Sequence, residues 1–194
     1  MWNVPNWITL LRIAGALAMF AAVAAGWYVA ALVLFVTLAA TDWLDGFYAR
    51  RYGQVTRVGR ILDPFADKLL VLGLFIFLAA APGSPIHAWM AVLVLARELW
   101  VTTVRGFMEG EGHDFSARWS GKVKMALQCA AGSAALLCLV ADRHAQRTWY
   151  GAAGQPAWLF WLTAGVVGAA IVVTAYSAFA YTRAAVRALE GEPS

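Results

Sequence analysis

Long apolar stretches, separated by short polar stretches, follow one another along the whole chain. Each is close to the roughly 20 residues that an α-helix needs to cross the hydrocarbon core of a bilayer. The stretches lie near Trp7–Ala25, Tyr28–Tyr48, Leu62–Ala81, Ile86–Val104, Lys122–Ala141 and Trp158–Thr182. None shows the alternation of apolar and polar residues that is typical of a membrane β-barrel strand. The pattern therefore predicts an all-α, polytopic membrane protein with about six transmembrane helices.

The polar stretches contain residues that end helices. Gly26 separates the first two apolar stretches, and Pro82–Pro85 is predicted to form a tight turn between the third and fourth. Longer loops are expected around Gly110–Asp114 and Gly151–Pro156. No basic segment leads the first apolar stretch, so we expect it to remain as a span rather than to be cleaved as a signal peptide. We expect residues 1–194 to form one membrane domain.

Composition supports a membrane protein. Hydrophobic residues make up 62% of the chain and charged residues 13%, where a soluble domain has about 25% charged residues. The net charge is +4, but the basic residues cluster between apolar stretches, which favours anionic lipid headgroups over nucleic acid as the partner. Cys129 and Cys138 lie in one apolar stretch and are predicted to be packing residues rather than a disulfide or metal site.

The basic residues are divided unequally between the two sides of the predicted helices. One side has only Arg143 and Arg147. The other has Arg50, Arg51, Arg57, Arg60, Arg105, Arg118, Lys122, Lys124, Arg183 and Arg187. Because lysine and arginine are enriched in cytoplasmic loops, this second side, with both chain termini, is predicted to face the cytosol.

Four aspartates lie at the cytosolic ends of the second and third predicted helices. Asp42 and Asp45 are spaced i, i+3, and Asp63 and Asp67 are spaced i, i+4, so each pair lies on one helix face. The short connection predicts that the two helices are neighbours. The four carboxylates should therefore meet.

Carboxylates this close together repel one another, so protons or cations must neutralise them. Oxygen ligands alone suit hard divalent ions such as Mg²⁺ or Mn²⁺, and four aspartates suit a two-metal centre that contacts phosphoryl oxygens. The alternative is that these are solvated charges at helix ends. That alternative fits a single aspartate better than four with matched spacing, because ionisable groups within a membrane are usually functional.

The four aspartates and the small residues around them form the pattern D-x2-D-G-x2-A-R-x8-G-x3-D-x3-D. Its positions are Asp42, Asp45, Gly46, Ala49, Arg50, Gly59, Asp63 and Asp67. This pattern resembles the signature of the CDP-alcohol phosphatidyltransferase family. The resemblance implies a membrane enzyme, typically six-helix and dimeric, that moves a phosphatidyl group from a CDP-lipid to an alcohol and releases CMP. It also implies that Asp45, Gly46, Ala49, Arg50 and Gly59 bind the CDP-lipid.

The small residues of this pattern also suit a ligand-binding site on physical grounds. Gly46 and Ala49 follow the Asp42–Asp45 face by one turn, and their missing side chains leave room for a bulky ligand. Gly59 lies one turn before Asp63 if the helix extends that far. Pro64 is predicted in the first turn of the third helix, where a missing N–H costs little.

Three further stretches resemble family members whose acceptor is glycerol 3-phosphate: VPNWITLLRI, ARELWVTTVRG and SARWSGKVKMALQ. The first matches P-N-x-x-T-x-x-R at Pro5, Asn6, Thr9 and Arg12. In the other two, Arg105, Arg118 and Lys122, together with Lys124, place positive charge at the cytosolic end. We expect Arg105, Arg118 and Lys122 to bind the acceptor phosphate. For residues 118, 122 and 124, the positive-inside bias alone is an equal alternative.

Arg97 and Glu98 are charged residues within the fourth predicted helix. Adjacent side chains on a helix point about 100° apart, so these two are not expected to satisfy each other. Each is expected to have a partner on another helix.

The sequence thus predicts a bacterial cytoplasmic-membrane enzyme, a homodimer, that uses CDP-diacylglycerol and glycerol 3-phosphate and binds two Mg²⁺ ions, with Mn²⁺ possible. Asp42, Asp45 and Asp63 are expected to hold the metals, and Asp67 to ligate one and to take the acceptor's proton; Asp63 and Asp67 could exchange roles. Alternatives are the same chemistry on another acceptor, such as in cardiolipin, phosphatidylserine or phosphatidylinositol-phosphate synthesis, a divalent-cation transporter, or an inactive membrane adaptor.

Overall fold

The computed structural model describes residues 4–52, 59–111, 119–147 and 156–189, and side chains for residues 7–41, 62–111, 123–142 and 156–189. Within these ranges the chain is helical between short turns. The helices are α1 (Val4–Ala24), α2 (Tyr28–Tyr52), α3 (Gly59–Ala80), α4 (Ala88–Gly110), α5 (Trp119–Arg147) and α6 (Ala157–Leu189). The all-α class and the six predicted helices are confirmed.

Most helices are longer than the apolar stretches that predicted them. The charged ends of α2, α4 and α6 continue to Tyr52, Gly110 and Leu189. A helix satisfies its own backbone groups in water as it does in lipid, so it need not end where its apolar residues end. The start of α3 at Gly59 corrects one prediction, because it places Pro64 inside the helix and beyond the first turn.

Glycines with positive φ make two of the turns. Gly26, with φ 72°, ends α1: its N–H donates to the carbonyl of Val23, and the N–H of Trp27 donates to that of Ala22. This is the Schellman arrangement, which satisfies the last carbonyls of a helix. Gly83, with φ 76°, lies in the turn between α3 and α4, as predicted.

The helices pack around α1 and α5. α1 packs against both α2 and α3, α5 packs against α2, α3 and α6, and α4 packs against α3 and α6. The ends of α2 and α3 that carry the four aspartates lie partly outside the described side chains. The prediction that α2 and α3 are neighbours at those ends therefore stays a prediction.

Large side chains from several helices fill the core. Phe35 of α2, Leu74 and Phe75 of α3 and Leu136 of α5 are almost fully buried. The close approaches occur at glycines: a Cβ at Gly73 would lie 2.1 Å from the ring of Phe20. The missing side chain of Gly73 thus allows α3 to pack closely against Phe20 of α1.

Other small residues face away from the core. Gly165 and Gly168 of α6 have no neighbouring atom within 4 Å of the position a Cβ would take. Ala14 and Ala18 of α1 are exposed. Among the described residues, these four therefore take no part in close helix packing. Cys138 is fully buried and Cys129 packs against the core, so both are packing residues, as predicted.

Many exposed side chains are large and apolar, among them Trp7, Trp158 and Trp161. Within the described residues, α1, α5 and α6 each contain a stretch long and apolar enough to cross a membrane. α3 contains Asp63, Asp67 and Lys68, and α4 also contains charged residues, so neither has a long uncharged stretch. The protein is an all-α membrane protein, and its count of six spans stays a prediction.

Candidate active site

Two of the four predicted site aspartates have described side chains, and both lie on α3. Asp63 is exposed, and the side chain of Asp67 is 28% exposed. Asp63 lies one turn before Asp67, so both carboxylates leave the same face of the helix, as predicted. That face is the one that meets α1.

Thr9 of α1 contacts the first of these carboxylates. Its hydroxyl donates a hydrogen bond to Asp63 Oδ1 at 2.7 Å. Thr9 is 3% exposed, so its hydroxyl is held in a packed interface and not by solvent. The bond fixes one oxygen of Asp63 with a neutral donor.

Arg12, one turn further along α1, contacts the second carboxylate. Its Nη1 donates to Asp67 Oδ1 at 3.1 Å, which also makes an ion pair. Arg12 is 3% exposed, whereas Asp67 remains partly accessible. Both bonds are charge-assisted because each acceptor is a carboxylate, but the donor to Asp67 is a cation and the donor to Asp63 is neutral.

Asp67 also lies on the wall of a cavity of about 160 Å³ between α3, α4 and α5. The polar wall is formed by Asp67, Lys68, Glu98, Lys124 and Gln128. The apolar wall is formed by Pro64, Val71, Leu72 and Met125. Two carboxylates and two ammonium groups therefore face a space that is large enough for a small polar molecule.

The far wall of this cavity belongs to a buried polar network. Glu98 accepts hydrogen bonds from Arg97 Nη1, at 2.9 Å, and from Lys124 Nζ. Arg97 Nε also donates to Ser177 Oγ of α6 at 2.9 Å, and its guanidinium lies over the ring of Tyr181. The network joins α4, α5 and α6.

This network corrects one prediction and confirms another. Arg97 and Glu98 do satisfy each other, because the long arginine side chain turns back to the carboxylate of the next residue. Each also has a partner on another helix, as predicted: Ser177 for Arg97 and Lys124 for Glu98. Lys124 is 6% exposed. Its ammonium group is therefore buried within this network.

Two more hydrogen bonds anchor the polar side chains of the cavity wall. Lys68 Nζ donates to Thr102 Oγ1 at 2.5 Å, which joins α3 to α4. Gln128 Nε2 donates to Thr174 Oγ1 at 3.0 Å, which joins α5 to α6. The polar wall is thus held in place by residues one layer behind it.

The other predicted site residues are only partly described. The backbone of α2 contains Asp42, Asp45, Gly46, Ala49 and Arg50, whose side chains lie outside the described residues. Gly59 is the first residue of α3, so the helix does extend that far.

The three predicted acceptor-binding residues differ in how far the structure describes them. Arg118 lies outside the described residues, as does the side chain of Lys122, whose backbone is in α5. Arg105 is half-exposed on α4 and forms an ion pair with Glu109, one turn further on, at 2.9 Å. Such a pair between exposed side chains contributes little stability.

The described part of the site fits a divalent metal by its chemistry. Asp63 and Asp67 offer carboxylate oxygens, the ligands that Mg²⁺ prefers in proteins. Within the described side chains, no group of three or more histidine, cysteine, aspartate or glutamate residues could hold a metal ion. A complete centre would therefore require ligands from α2, where Asp42 and Asp45 are placed.

Sequence reasoning gave no role to Thr9 and Arg12. Their signal was present: they are polar, they lie one turn apart in an apolar helix, and this spacing suits carboxylates one turn apart on a facing helix. Lys68 and Gln128 were also missed, and no spacing rule pointed to them. Their position became visible only when α3, α4 and α5 were packed together.

Comparison with known proteins gives a consistent result. The family model for CDP-alcohol phosphatidyltransferases matches residues 2–167. A protein of Bacillus subtilis (strain 168) is 38% identical over 153 residues, which cover 71% of this chain and 78% of the relative. A protein of Yersinia pestis (strain Pestoides F) is 37% identical over 136 residues, covering 65% and 72%. A protein of Sodalis glossinidius (strain morsitans) is 36% identical over 139 residues, with the same coverages. All three are named CDP-diacylglycerol–glycerol-3-phosphate 3-phosphatidyltransferase.

Proposed function

The chain belongs to the CDP-alcohol phosphatidyltransferase family, and from this premise we propose that it transfers the phosphatidyl group of CDP-diacylglycerol to glycerol 3-phosphate. The products are phosphatidylglycerophosphate and CMP. The names of the relatives support both substrates. The observation that carries the mechanism is the position of Asp67, an α3 carboxylate on the wall of a cavity that Lys68, Glu98 and Lys124 also line.

The proposed metal centre consists of Asp42 and Asp45 from α2 and Asp63 from α3, with Asp67 close enough to bind one ion. Members of this family generally use divalent metal ions. We propose two Mg²⁺ ions, with Mn²⁺ as a possible substitute, because the ligands are all carboxylates. When bound, the ions neutralise charge on the pyrophosphate and on the departing CMP.

Asp67 is the proposed general base. The acceptor hydroxyl oxygen attacks the phosphorus on the lipid side of the pyrophosphate, and its proton passes to a carboxylate oxygen of Asp67. A new P–O bond to glycerol 3-phosphate forms as the P–O bond to CMP breaks. The cavity beside Asp67 gives the acceptor a place from which to attack.

The remaining site residues are proposed to bind the two substrates. Asp45, Gly46, Ala49, Arg50 and Gly59 bind the CDP portion of the lipid, where the small residues let the ligand approach the backbone. The phosphate of the acceptor is bound by Arg105, Arg118 and Lys122. Only a weak ion pair holds Arg105 to Glu109, so exchange of that pair for a phosphate costs little.

The proposed setting is the cytoplasmic membrane of a bacterium, with six spans, both termini and the active site on the cytosolic side, and with residues 1–194 as one domain. The diacyl chains stay in lipid while the soluble acceptor enters from the basic side. We also propose a homodimer, which the outward-facing small residues of α1 and α6 would accommodate.

The test is CMP release by the purified protein in detergent with CDP-diacylglycerol and Mg²⁺. Glycerol 3-phosphate, inositol, inositol phosphate, serine and phosphatidylglycerol are added separately, and an Asp67→Asn variant is the control. We expect release only with glycerol 3-phosphate and only from the unaltered protein. Release with a different acceptor would overturn the substrate assignment but not the reaction. No release with any acceptor from folded protein would overturn the enzyme itself.

A further inference from the structure

The two described carboxylates of the site receive donors of different charge from the same helix. Thr9 gives Asp63 a neutral hydroxyl at 2.7 Å, and Arg12 gives Asp67 a guanidinium at 3.1 Å. Within the described residues, Asp63 has no ion-pair partner. Two aspartates that are alike in sequence and share a helix face are therefore placed in different electrostatic surroundings.

We propose that α1 assigns the two carboxylates their roles: Thr9 orients Asp63 as a metal ligand, and Arg12 acts as a counter-charge that weakens Asp67 as a ligand and keeps it for the acceptor. Thr9 and Arg12 are thus positioning residues. The inference rests on the proposed metal centre and deepens it, since it distinguishes two aspartates whose roles the sequence left exchangeable.

Thr9 can orient Asp63 without reducing the charge of its carboxylate. A hydroxyl donor fixes Oδ1 of Asp63 but leaves the full negative charge available to attract a cation. Outer hydrogen bonds of this kind set the direction of a ligating carboxylate, and their loss typically weakens metal binding about 10- to 100-fold. Asp63 is exposed, so without Thr9 its side chain would have few other constraints.

Arg12 acts on Asp67 through its positive charge. A guanidinium beside Asp67 repels an approaching divalent cation and shares the carboxylate's charge. Arg12 cannot lose its proton, so this counter-charge is permanent. Asp67 is thereby a poorer metal ligand than Asp63 while it still faces the cavity from which the acceptor attacks.

Both donors are held rigidly enough to have these effects. Thr9 and Arg12 are each 3% exposed, and α1 packs along both α2 and α3. The helix that carries the donors therefore also contacts both helices that carry the proposed ligands. A solvent-exposed threonine or arginine would move between partners and could not distinguish two carboxylates one turn apart.

The test measures metal binding without substrate. Mn²⁺ is titrated into detergent-purified protein, and free Mn²⁺ is read by electron paramagnetic resonance. We expect Thr9→Val, which removes the hydroxyl at nearly constant volume, to raise the Mn²⁺ Kd about tenfold. Thr9→Ser keeps the donor and should remain near the unaltered value.

A matched control is Thr163→Val. Thr163 is also buried, and its hydroxyl donates to the carbonyl of Ala134, not to a site carboxylate. We expect this variant to leave the Mn²⁺ Kd unchanged even if it lowers the melting temperature. If Thr163→Val lowered the Mn²⁺ affinity as much as Thr9→Val does, the loss in Thr9→Val would be due to a general loss of helix packing. That result would overturn the proposal.

The second part of the test is expected to change the Mn²⁺ Kd in the opposite direction. Arg12→Met removes the counter-charge, so Asp67 becomes a better ligand and the Mn²⁺ Kd should fall by about two- to tenfold. Arg12→Lys keeps the charge and should bind Mn²⁺ as the unaltered protein does. A change that only damaged the fold would weaken binding in both Thr9→Val and Arg12→Met.

The outcomes separate this inference from the proposed function. Changes of the Mn²⁺ Kd in opposite directions, up in Thr9→Val and down in Arg12→Met, support the assignment. Equal changes of the Kd in the two variants, or an unchanged Kd in Thr9→Val, overturn it. Neither result affects the proposed reaction, which is tested by CMP release from the unaltered protein. If Arg12→Met does not fold, the Thr9→Val, Thr9→Ser and Thr163→Val set decides alone. No saturable Mn²⁺ binding by the unaltered protein overturns both the metal centre and this inference.

Discussion

Arg12 and Arg97 are both buried, but they belong to different kinds of contact. Arg97, at 7% exposure, is surrounded by Glu98, Ser177 and Tyr181, and this network lies among α4, α5 and α6. Arg12, at 3% exposure, reaches from α1 to Asp67, a carboxylate that is partly accessible and faces a cavity.

The difference distinguishes a contact that joins helices from one that ends on a proposed site residue. Glu98 and Asp67 both line the cavity, but Glu98 is paired with two cations and its side chain is only 10% exposed. The side chain of Asp67 is 28% exposed, so it remains accessible although Arg12 is buried. Burial of an arginine is therefore not informative by itself; the exposure of its acceptor distinguishes the two cases.

The largest expected effect is on Asp67, and it tests whether the α1–α3 region is functional. Asp67→Asn should lower kcat/KM for glycerol 3-phosphate by about 10³-fold, the range that a general base contributes. The amide keeps the shape and can still accept the hydrogen bond from Arg12, but the buried guanidinium loses its counter-charge. Because Asp67 is partly accessible to solvent, the melting temperature in detergent should fall less than for an ion pair that is buried on both sides. A variant with normal turnover would remove Asp67 from the chemistry.

The next effect is on Glu98, and it tests whether the α4–α6 region is structural. Glu98→Gln leaves Arg97 and Lys124 buried without their carboxylate, and breaking a buried pair in this way costs about 3 to 5 kcal/mol. We expect a marked drop in the melting temperature, measured in detergent by intrinsic fluorescence. Turnover per folded molecule should fall far less than in Asp67→Asn.

A double variant sharpens the result for Glu98. Glu98→Gln combined with Lys124→Met removes one of the two stranded cations, and the melting temperature should recover in part. An additive loss, with no recovery, would show that Lys124 and Glu98 do not depend on each other and would contradict the network as described.

A smaller effect separates glycines that pack from glycines that do not. Gly73→Ala forces a methyl group against the ring of Phe20, and overpacking of this kind costs about 1 to 3 kcal/mol. Gly165→Ala meets nothing within 4 Å in this chain, so we expect no loss of stability. Both are read by thermal melts, and a loss in Gly165→Ala equal to that in Gly73→Ala would contradict the helix packing.

The smallest effect is expected at Arg105. Its ion pair with Glu109 is exposed and contributes only about 0.3 to 0.5 kcal/mol, so Arg105→Gln should not change the melting temperature measurably. If Arg105 binds the acceptor, KM for glycerol 3-phosphate should rise several-fold with kcat nearly constant. An unchanged KM would remove Arg105 from the acceptor site and leave Arg118 and Lys122.

The sequence predicted the number and order of the helices, because apolar stretches of membrane-spanning length are a strong local signal. It also placed Asp63 and Asp67 on one face of α3, which depends only on helical periodicity. It misjudged the position of Pro64, because apolar content marks the lipid-facing part of a helix and not its first residue.

The sequence did not predict which other helices pack together. α1 and α5 each contact both α2 and α3, and no local pattern indicates these contacts. The contacts of Thr9 and Arg12 bridge 54 and 55 residues along the chain, and no local pattern determines such distant pairs. The pairing of Arg97 with Glu98 was missed for another reason, since it depends on a long flexible side chain and not on helix geometry.

The distance in sequence between Arg12 and Asp67 has a consequence for biosynthesis. Chains are made from the amino terminus, so α1 reaches the membrane before α3 exists. An arginine in an inserting helix is unfavourable by about 2.5 to 3.5 kcal/mol at the centre of the bilayer, a cost that the apolar residues of α1 must offset at first. Asp67, which is synthesised 55 residues later, is the carboxylate that Arg12 then binds. The contact can therefore form only after α3 has been synthesised. In a chain truncated before α3, Arg12 would not have the aspartate that it binds in the finished protein.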